Sequence, residues 1–471
     1  MPRQARAQLL QEVTRVNPWW HAERWDQSDR HLGDVRRALF ERHPATLDDV
    51  RPPNLYTLRG PRRVGKSTLL KQTVRRLIAE GIDPRRVCYF PADLLASNTD
   101  IVNLFQAARM LFPDVGDQPR YFLIDEATSI QDWQLGLKWL RDNTPVGQDC
   151  VVITGSSARD IAAGTVHLAG RRGPEAGLDR LLLPLSFGEF TRFAGVAVPN
   201  PPTLPFEAFY AAEGRAACQE ALVHLGALVD AFEAYLLVGG FPQAVADFRR
   251  SGSVSPGFIR DLWDVLQSDL MAAGLTQPEQ GLRLLERLAA SLTGPIVLRE
   301  LAEALGVAHT TAGAWLNALA QSYLLLLVFP ESGGRPDTRR QRKAYPVDPL
   351  VIRVASHRLA SDREVPLSQM AEAAIGTAIF RSLEEHQTDR FERPSRLFFY
   401  RTSSGGEVDF MVQPGRRAVE SKYVDSPTTR ESRAMVANFD GGLLLTRAAV
   451  DLDPRVTIIP ASIFCWLLRQ G

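Results

Sequence analysis

The stretch Leu55-Tyr56-Thr57-Leu58-Arg59-Gly60-Pro61-Arg62-Arg63-Val64-Gly65-Lys66-Ser67-Thr68-Leu69-Leu70 sets an apolar run, a loop bounded by glycines and a helical run in succession. Residues 60–67 fit GxxxxGK[ST], a loop whose backbone N–H groups surround phosphate oxygens at the start of a helix. Glycine at 60 and 65 permits the tight turn and the close approach of phosphate. The spacing predicts that residues Gly60 to Thr68 cradle ATP, with Lys66 on the β- and γ-phosphates and the Ser67 hydroxyl on Mg²⁺.

Working outward, apolar runs at Val87–Phe90, Tyr121–Ile124, Val151–Thr154 and Leu181–Leu185 alternate with helical stretches. That alternation predicts an α/β core, a parallel sheet flanked by helices. Tyr121–Ile124 is continuously apolar, as a strand buried on both faces should be. It ends in Asp125 and Glu126, at the strand end where such sheets bind ligands. Asp125 is suited to the Mg²⁺ shell and Glu126 to polarising the attacking water. Thr154 and Ser156, at the end of the next strand, are candidates to touch the γ-phosphate or that water. The order of motifs suggests a sensing strand lying between the two motif strands. Arg171 is a candidate for stabilising charge on the transferred phosphate, in cis or across the boundary of a homo-oligomer; the other reading is a surface arginine.

The chain has 471 residues, 45% of them apolar and 23% charged, with a formal net charge of +1. This suits a folded multidomain protein, and any attraction to nucleic acid must come from local patches. The four cysteines are far apart in sequence and read as core thiols. The N-terminus has no apolar signal core and the apolar runs are too short to span a membrane, so a cytoplasmic location without membrane partners is expected. No internal repeat or low-complexity tract is present. Trp19 and Trp20, after Asn17-Pro18, read as docking an N-terminal arm onto the next domain; the other reading is a partner-binding role.

The segments GPRRVGKST (60–68), YFLIDEATSIQDW (121–133), VITGSSARDI (152–161), AGRR (169–172), LLLPLSFGEF (181–190) and YLLVGGFPQAV (235–245) occur in the order seen in a prokaryotic AAA-type ATPase family. The chain resembles that family over roughly residues 50–470. The resemblance implies an AAA_14-type core of the extended AAA+ class, a winged helix, and a C-terminal DUF4143 domain with a nuclease-like fold. The expected division is an N-terminal helical arm (1–50), a P-loop ATPase core (51–200), a helical lid (201–290), a winged helix (291–364) and a restriction-endonuclease-like α/β domain (365–471). The Gly239–Pro242 turn reads as a helix–helix corner.

Residues 297–319 read as helix, turn and helix, with Gly306 in the turn. In such units the start of the second helix meets the DNA major groove, here His309, Thr310 and Thr311. The following stretch carries Arg335, Arg339, Arg340, Arg342 and Lys343, cations suited to grip phosphates from a wing. The other reading is a protein–protein joint beside a solvated loop.

Farther on, two strands in a hairpin bring Asp409 towards Glu420 and Lys422, which share one strand face, as do Glu407 and Asp409. Two carboxylates and a lysine resemble a PD-(D/E)XK nuclease site using Mg²⁺ or Mn²⁺. One departure stands out: the family pattern implies a glutamate near Gly376, and Glu372, one helical turn earlier, is the candidate replacement. Two functions follow as expectations. One is a Mg²⁺-dependent ATPase acting on DNA ends or junctions, with or without cleavage. The other is a nucleotide-switched signalling or defence ATPase whose far domains bind proteins and are not catalytic.

Overall fold

The computed structural model describes residues 3–38, 40–155, 167–359, 364–384, 391–402 and 406–470. The chain divides into two compact units, 1–183 and 184–471.

In the first unit, helices α1 (Arg3–Val16), α2 (Trp25–Ser28) and α3 (Arg30–Arg37) precede an α/β core. The core runs β1 (Leu55–Arg59), α4 (Lys66–Ala79), β2 (Val87–Pro91), α5 (Asn98–Leu111), β3 (Tyr121–Asp125), α6 (Trp133–Asn143), β4 (Cys150–Gly155) and β5 (Asp179–Leu181). The strands are parallel in the order β2-β3-β4-β1-β5, so β4 lies between the P-loop strand and the acidic strand. Alternation divides each strand between two apolar layers. Phe122 and Ile124 pack with Phe105, Trp133 and Leu137, whereas Tyr121 and Leu123 pack with Leu70 and Val74 of α4. The fifth strand is shorter than the expected Leu181–Leu185. Leu182 still donates its N–H to the Arg59 carbonyl at 2.8 Å, but Pro184 has no N–H to continue the ladder.

The edge strand β2 is closed by the N-terminal arm. The Asn17 side chain accepts from the Tyr89 N–H at 2.7 Å and donates to the Tyr89 carbonyl at 2.9 Å, as a neighbouring strand would. The indole N–H groups of Trp19 and Trp20 both donate to the Val87 carbonyl at 2.9 Å. The tryptophan pair thus docks the arm, and a bare sheet edge is avoided.

The second unit begins with α7 (Phe187–Ala194), started by a reciprocal capping box between Ser186 and Glu189. Helices α8 (Ala212–Ala221), α9 (Leu225–Val238), α10 (Pro242–Ser251), α11 (Pro256–Ala272) and α12 (Pro278–Ala290) follow. The stretch Ala212–Val238 is long and apolar enough to cross a membrane by composition alone, which the sequence reading missed. A 3₁₀ turn at Leu222–His224 interrupts it, and Leu228, Phe232, Tyr235 and Leu236 are buried, as in a core helix. Next come α13 (Leu298–Leu305) and α14 (His309–Gln321), joined through Gly306 at φ +68. The antiparallel pair β6 (Leu325–Val328) and β9 (Lys343–Pro346) encloses a short hairpin of β7 (Glu331–Ser332) and β8 (Arg335–Pro336). After α15 (Pro349–Leu359) and α16 (Leu367–Glu384), a second sheet has the order β10 (Leu397–Arg401), β11 (Glu407–Val412), β12 (Arg417–Ser421), β13 (Gly442–Thr446), β14 (Val456–Pro460). Its first two pairings are antiparallel and its last two parallel. Helix α17 (Arg433–Asn438) lies between β12 and β13 in sequence, and α18 (Ala461–Leu467) follows β14.

The Gly239–Pro242 turn is a packed corner. The buried Asp348 carboxylate accepts from the Gly240 N–H at 2.6 Å and from the Leu350 N–H at 2.9 Å. Burial raises its pKa to about 6, against the pull of those two donors. A Cβ on Gly240 would lie 2.2 Å from the Leu185 carbonyl oxygen, which is backbone and cannot swing aside. Gly240→Ala is therefore expected to destabilise the second unit by roughly 2 kcal/mol or more. Gly226→Ala, whose Cβ meets nothing within 4 Å, should not destabilise it. Urea unfolding of both variants checks this, and equal midpoints would refute it.

Candidate active site

The P-loop forms at the carboxyl end of β1. Gly60 has φ +145, and a Cβ there would lie 2.0 Å from the Leu182 carbonyl oxygen. Gly65 has φ +102 and caps α4. Both conformations favour glycine. Pro61 and Val64 turn inward, Arg62 and Arg63 are exposed, and Ser67 and Thr68 are half-buried in the first turn of α4. Lys66 is buried, its ammonium 2.9 Å from the Gly60 carbonyl and 3.1 Å from that of Pro61, curled along the loop. It also lies 3.9 Å from the Glu126 carboxylate. The loop, the lysine and the helix start fit a triphosphate, because the N–H groups of a first helical turn have no carbonyl one turn back.

Asp125 and Glu126 follow at the end of β3. Asp125 is buried and accepts from the Thr154 hydroxyl at 2.6 Å and from the Tyr89 hydroxyl at 3.1 Å. Thr154 in turn accepts from the Glu126 N–H at 2.8 Å. One hydroxyl on the middle strand thus holds both acidic residues in register. Glu126 sits at φ +52, an uncommon conformation for a non-glycine, with its side chain 38% exposed and so within reach of water. The Ser67 hydroxyl and the Asp125 carboxylate are oxygen donors suited to Mg²⁺. Ser156 lies outside the described residues.

Three residues that sequence reasoning missed support Asp125. Tyr89 keeps its proton because burial, and then Asp125, raise its pKa, so it acts as a donor. The Lys71 ammonium lies 3.8 Å from the Tyr89 ring centroid and pairs with Asp29 of the arm at 3.4 Å. Burial lowers the Lys71 pKa, and Asp29 opposes that shift. The available signal was Tyr89 on the strand beside Asp125, but a lone tyrosine in an apolar run reads as core.

Arg171 is corrected for a role in cis. It pairs with Asp142 at 2.7 Å, and the carbonyl of its neighbour Arg172 accepts from the N–H of Leu55, the first residue of β1. It therefore lies at the amino end of the sheet. The P-loop lies at the other end, about 16 Å away along a five-residue strand.

In the second unit, His309 and Thr310 are exposed at the start of α14 and Thr311 is half-buried. Arg335, Arg339 and Arg340 are exposed on or after the β7–β8 hairpin. Arg342 is half-buried, its guanidinium 4.9 Å from the Phe329 ring centroid. Arg339 and Arg340 line a cleft with Gln341, Phe399 and Arg401. Lys343 is a second correction: it is fully buried and cannot meet a phosphate backbone.

Lys343 instead joins the predicted nuclease-like cluster. Its ammonium lies 2.5 Å from Glu407, 3.3 Å from Glu372 and 3.7 Å from Asp409. The Lys422 ammonium lies 2.7 Å from Glu420 and 3.4 Å from Asp409. The Ser421 N–H donates to Asp409 at 2.9 Å, and the Tyr345 hydroxyl to Glu372 at 2.8 Å. The fold thus brings Glu372, Asp409, Glu420 and Lys422 together. Burial, then Asp409, raises Glu372 to about 8 and Glu420 to about 7. Burial opposes the charge on Lys343, yet Glu372, Asp409 and Glu407 more than offset it and raise its pKa. The signal for Lys343 was its alternation with Tyr345 along Lys343–Pro346, which puts both on one strand face.

Thr154→Val should slow ATP turnover by about tenfold or more while leaving nucleotide affinity within about threefold, because Asp125 and Glu126 lose their shared anchor. Single-turnover kinetics beside equilibrium titration would separate the two, and unchanged turnover would refute it. A pH effect follows from Glu372. Its folded pKa is raised, so the folded state holds a proton that the unfolded state releases from about pH 4.5 upward. Its contribution to stability is complete below that range and is lost as pH rises towards about 8, with a slope of at most ~1.4 kcal/mol per pH unit. Urea unfolding across pH should show this decline, and Glu372→Gln should make it shallower, leaving the parts due to Glu420 and Asp348, whose pKa values are also raised.

Residues 52–191 match the model of an AAA domain, AAA_14, and residues 229–357 match a domain of unknown function, DUF8612. C-terminal to the core the matching model is thus DUF8612, where the resemblance implied DUF4143. No curated protein matches the chain. Among solved structures, a Walker-type ATPase of Pyrococcus abyssi is 15% identical with a TM-score of 0.39, the match covering 69% of this chain and 94% of that one. The Orc1 protein of Aeropyrum pernix in complex with DNA is 12% identical with a TM-score of 0.28, over 66% of this chain and 88% of that one. Cdc6p of Pyrobaculum aerophilum is 14% identical with a TM-score of 0.23, over 72% and 95%. With its parallel five-stranded sheet, its P-loop and the match over 52–191, the first unit carries an AAA-type P-loop ATPase domain.

Proposed function

We propose that the chain is a Mg²⁺-dependent ATPase whose nucleotide state governs how its second unit engages DNA. The observation that carries the ATPase half is the Thr154 hydroxyl, which fixes Asp125 and the Glu126 backbone beside Lys66. Lys66 leaves the loop carbonyls to meet the β- and γ-phosphates. The loop N–H groups orient the triphosphate, and Ser67 and Asp125 hold the metal shell. Bound Mg²⁺ supplies charge neutralisation at the phosphates. Glu126 positions and polarises the attacking water.

The DNA half rests on the cleft shared by Arg339, Arg340, Gln341, Phe399 and Arg401. The exposed Arg339 and Arg340 guanidiniums, with Arg401 also on the rim, suit a phosphate backbone. The helix–turn–helix with its hairpin reads as a winged helix, with His309 and Thr310 on the exposed start of its second helix.

ATP turnover with duplex, forked and single-stranded DNA tests this reading. DNA should raise turnover, and its affinity should fall steeply with salt. Arg339→Ala and Arg340→Ala should each reduce the log–log salt slope by about one. Lys66→Ala should weaken nucleotide binding, whereas Glu126→Gln should retain nucleotide and slow hydrolysis. Turnover indifferent to every DNA, with salt-insensitive binding of a protein partner, would favour the nucleotide-switched signalling reading instead.

A further inference from the structure

We infer that the Lys343 ammonium is the resident cation of the acidic site in the second sheet, standing among carboxylates that a metal ion would need. The site therefore takes no divalent cation, and the sheet does not cut DNA.

The geometry carries this. Lys343, on β9, projects among carboxylates from α16 and β11: Glu407 at 2.5 Å, Glu372 at 3.3 Å and Asp409 at 3.7 Å. It is fully buried. Other carboxylate oxygens are also engaged. Asp409 accepts from Ser421 and faces Lys422, Glu420 faces Lys422, and Glu407 faces Arg401 at 3.0 Å, while Tyr345 donates to the same Glu372 oxygen that faces Lys343. A divalent ion would have to displace a buried ammonium and then share its space, which like-charge repulsion in a low-dielectric setting opposes.

The position where the family pattern implies a glutamate points the same way. A Cβ on Gly376 would lie 2.7 Å from Cε1 and 2.8 Å from Cζ of Phe410, so that ring occupies the direction a side chain would take. Among the described residues, no three His, Cys, Asp or Glu side chains are grouped so as to hold a metal ion. The lysine also gives the site a structural role. Because β9 pairs with β6 in the hairpin that follows the helix–turn–helix, Lys343 ties that hairpin to the second sheet.

The test uses the full chain carrying Ser67→Ala and Asp125→Asn, which removes the nucleotide-site metal ligands. Mn²⁺ binding is followed by the electron paramagnetic resonance signal of the free ion. We expect no Mn²⁺ bound at millimolar concentration, and no effect of adding Asp409→Asn. Adding Lys343→Met should create one Mn²⁺ site, which Asp409→Asn abolishes. A Mn²⁺ bound by the background chain and lost with Asp409→Asn would overturn the inference. So would a folded Lys343→Met chain, judged by circular dichroism, that binds none. If Lys343→Met does not fold, the background and Asp409→Asn chains still decide it: equal absence of binding supports the inference and a difference refutes it. None of these outcomes depends on ATP turnover or DNA affinity, so the ATPase and DNA readings stand or fall separately.

Discussion

The first unit depends on holding a buried carboxylate aimed at the end of a buried sheet. Asp125 emerges from four consecutive apolar residues, where an unsatisfied carboxylate would be costly. Its two hydroxyl donors come from both neighbouring strands, Tyr89 on β2 and Thr154 on β4. The strand order matters because only a β4 inserted between β1 and β3 can offer Thr154 to the acidic strand while lying beside the P-loop strand. The arm extends this support. Asp29 pairs with Lys71, whose ammonium lies against the Tyr89 ring, and Asn17 fixes the backbone of the same tyrosine. An N-terminal segment that looks like an appendage is thereby part of the apparatus that orients the Asp125 carboxylate.

The second unit meets the same problem with a different solution. Glu372, Glu407, Asp409 and Glu420 crowd one end of a sheet, and two lysines lie among them. Two of the carboxyls have raised pKa values and so shed charge near neutrality, which burial with few solvent contacts demands. Internal ammoniums and protonation together achieve what a metal ion would otherwise do. Such an arrangement resists loss of either partner, since removing one charge strands the other in the interior.

The P-loop, its strand, the acidic pair and the strand order were legible in the sequence because they obey local rules: glycines where φ is positive, apolar runs on strands, carboxylates at their ends. The convergence of Asp409, Glu420 and Lys422 was legible from period-two alternation. Lys343 was not, because a lysine at the end of Arg339-Arg340-Gln341-Arg342 reads as the tail of a basic loop. Only the strand that begins there, and α16 arriving from farther along the chain, reverse its environment. Arg171 failed for a related reason. Motif order along the chain does not say which end of a parallel sheet a loop returns to, and the loop carrying Arg171 returns to the amino end.

These two acidic ends differ in what they leave for a ligand. Among the described residues, the hydrogen-bond donors to the Asp125 carboxylate are two hydroxyls, those of Tyr89 and Thr154, with no ammonium among them. At Asp409 the donors include a buried ammonium, and that charge is already compensated. The consequence is a division of labour set by electrostatics rather than by fold. On the function proposed above, phosphoryl chemistry belongs at the end of β3, and the second sheet, with ammoniums among its carboxylates, would take no part in it.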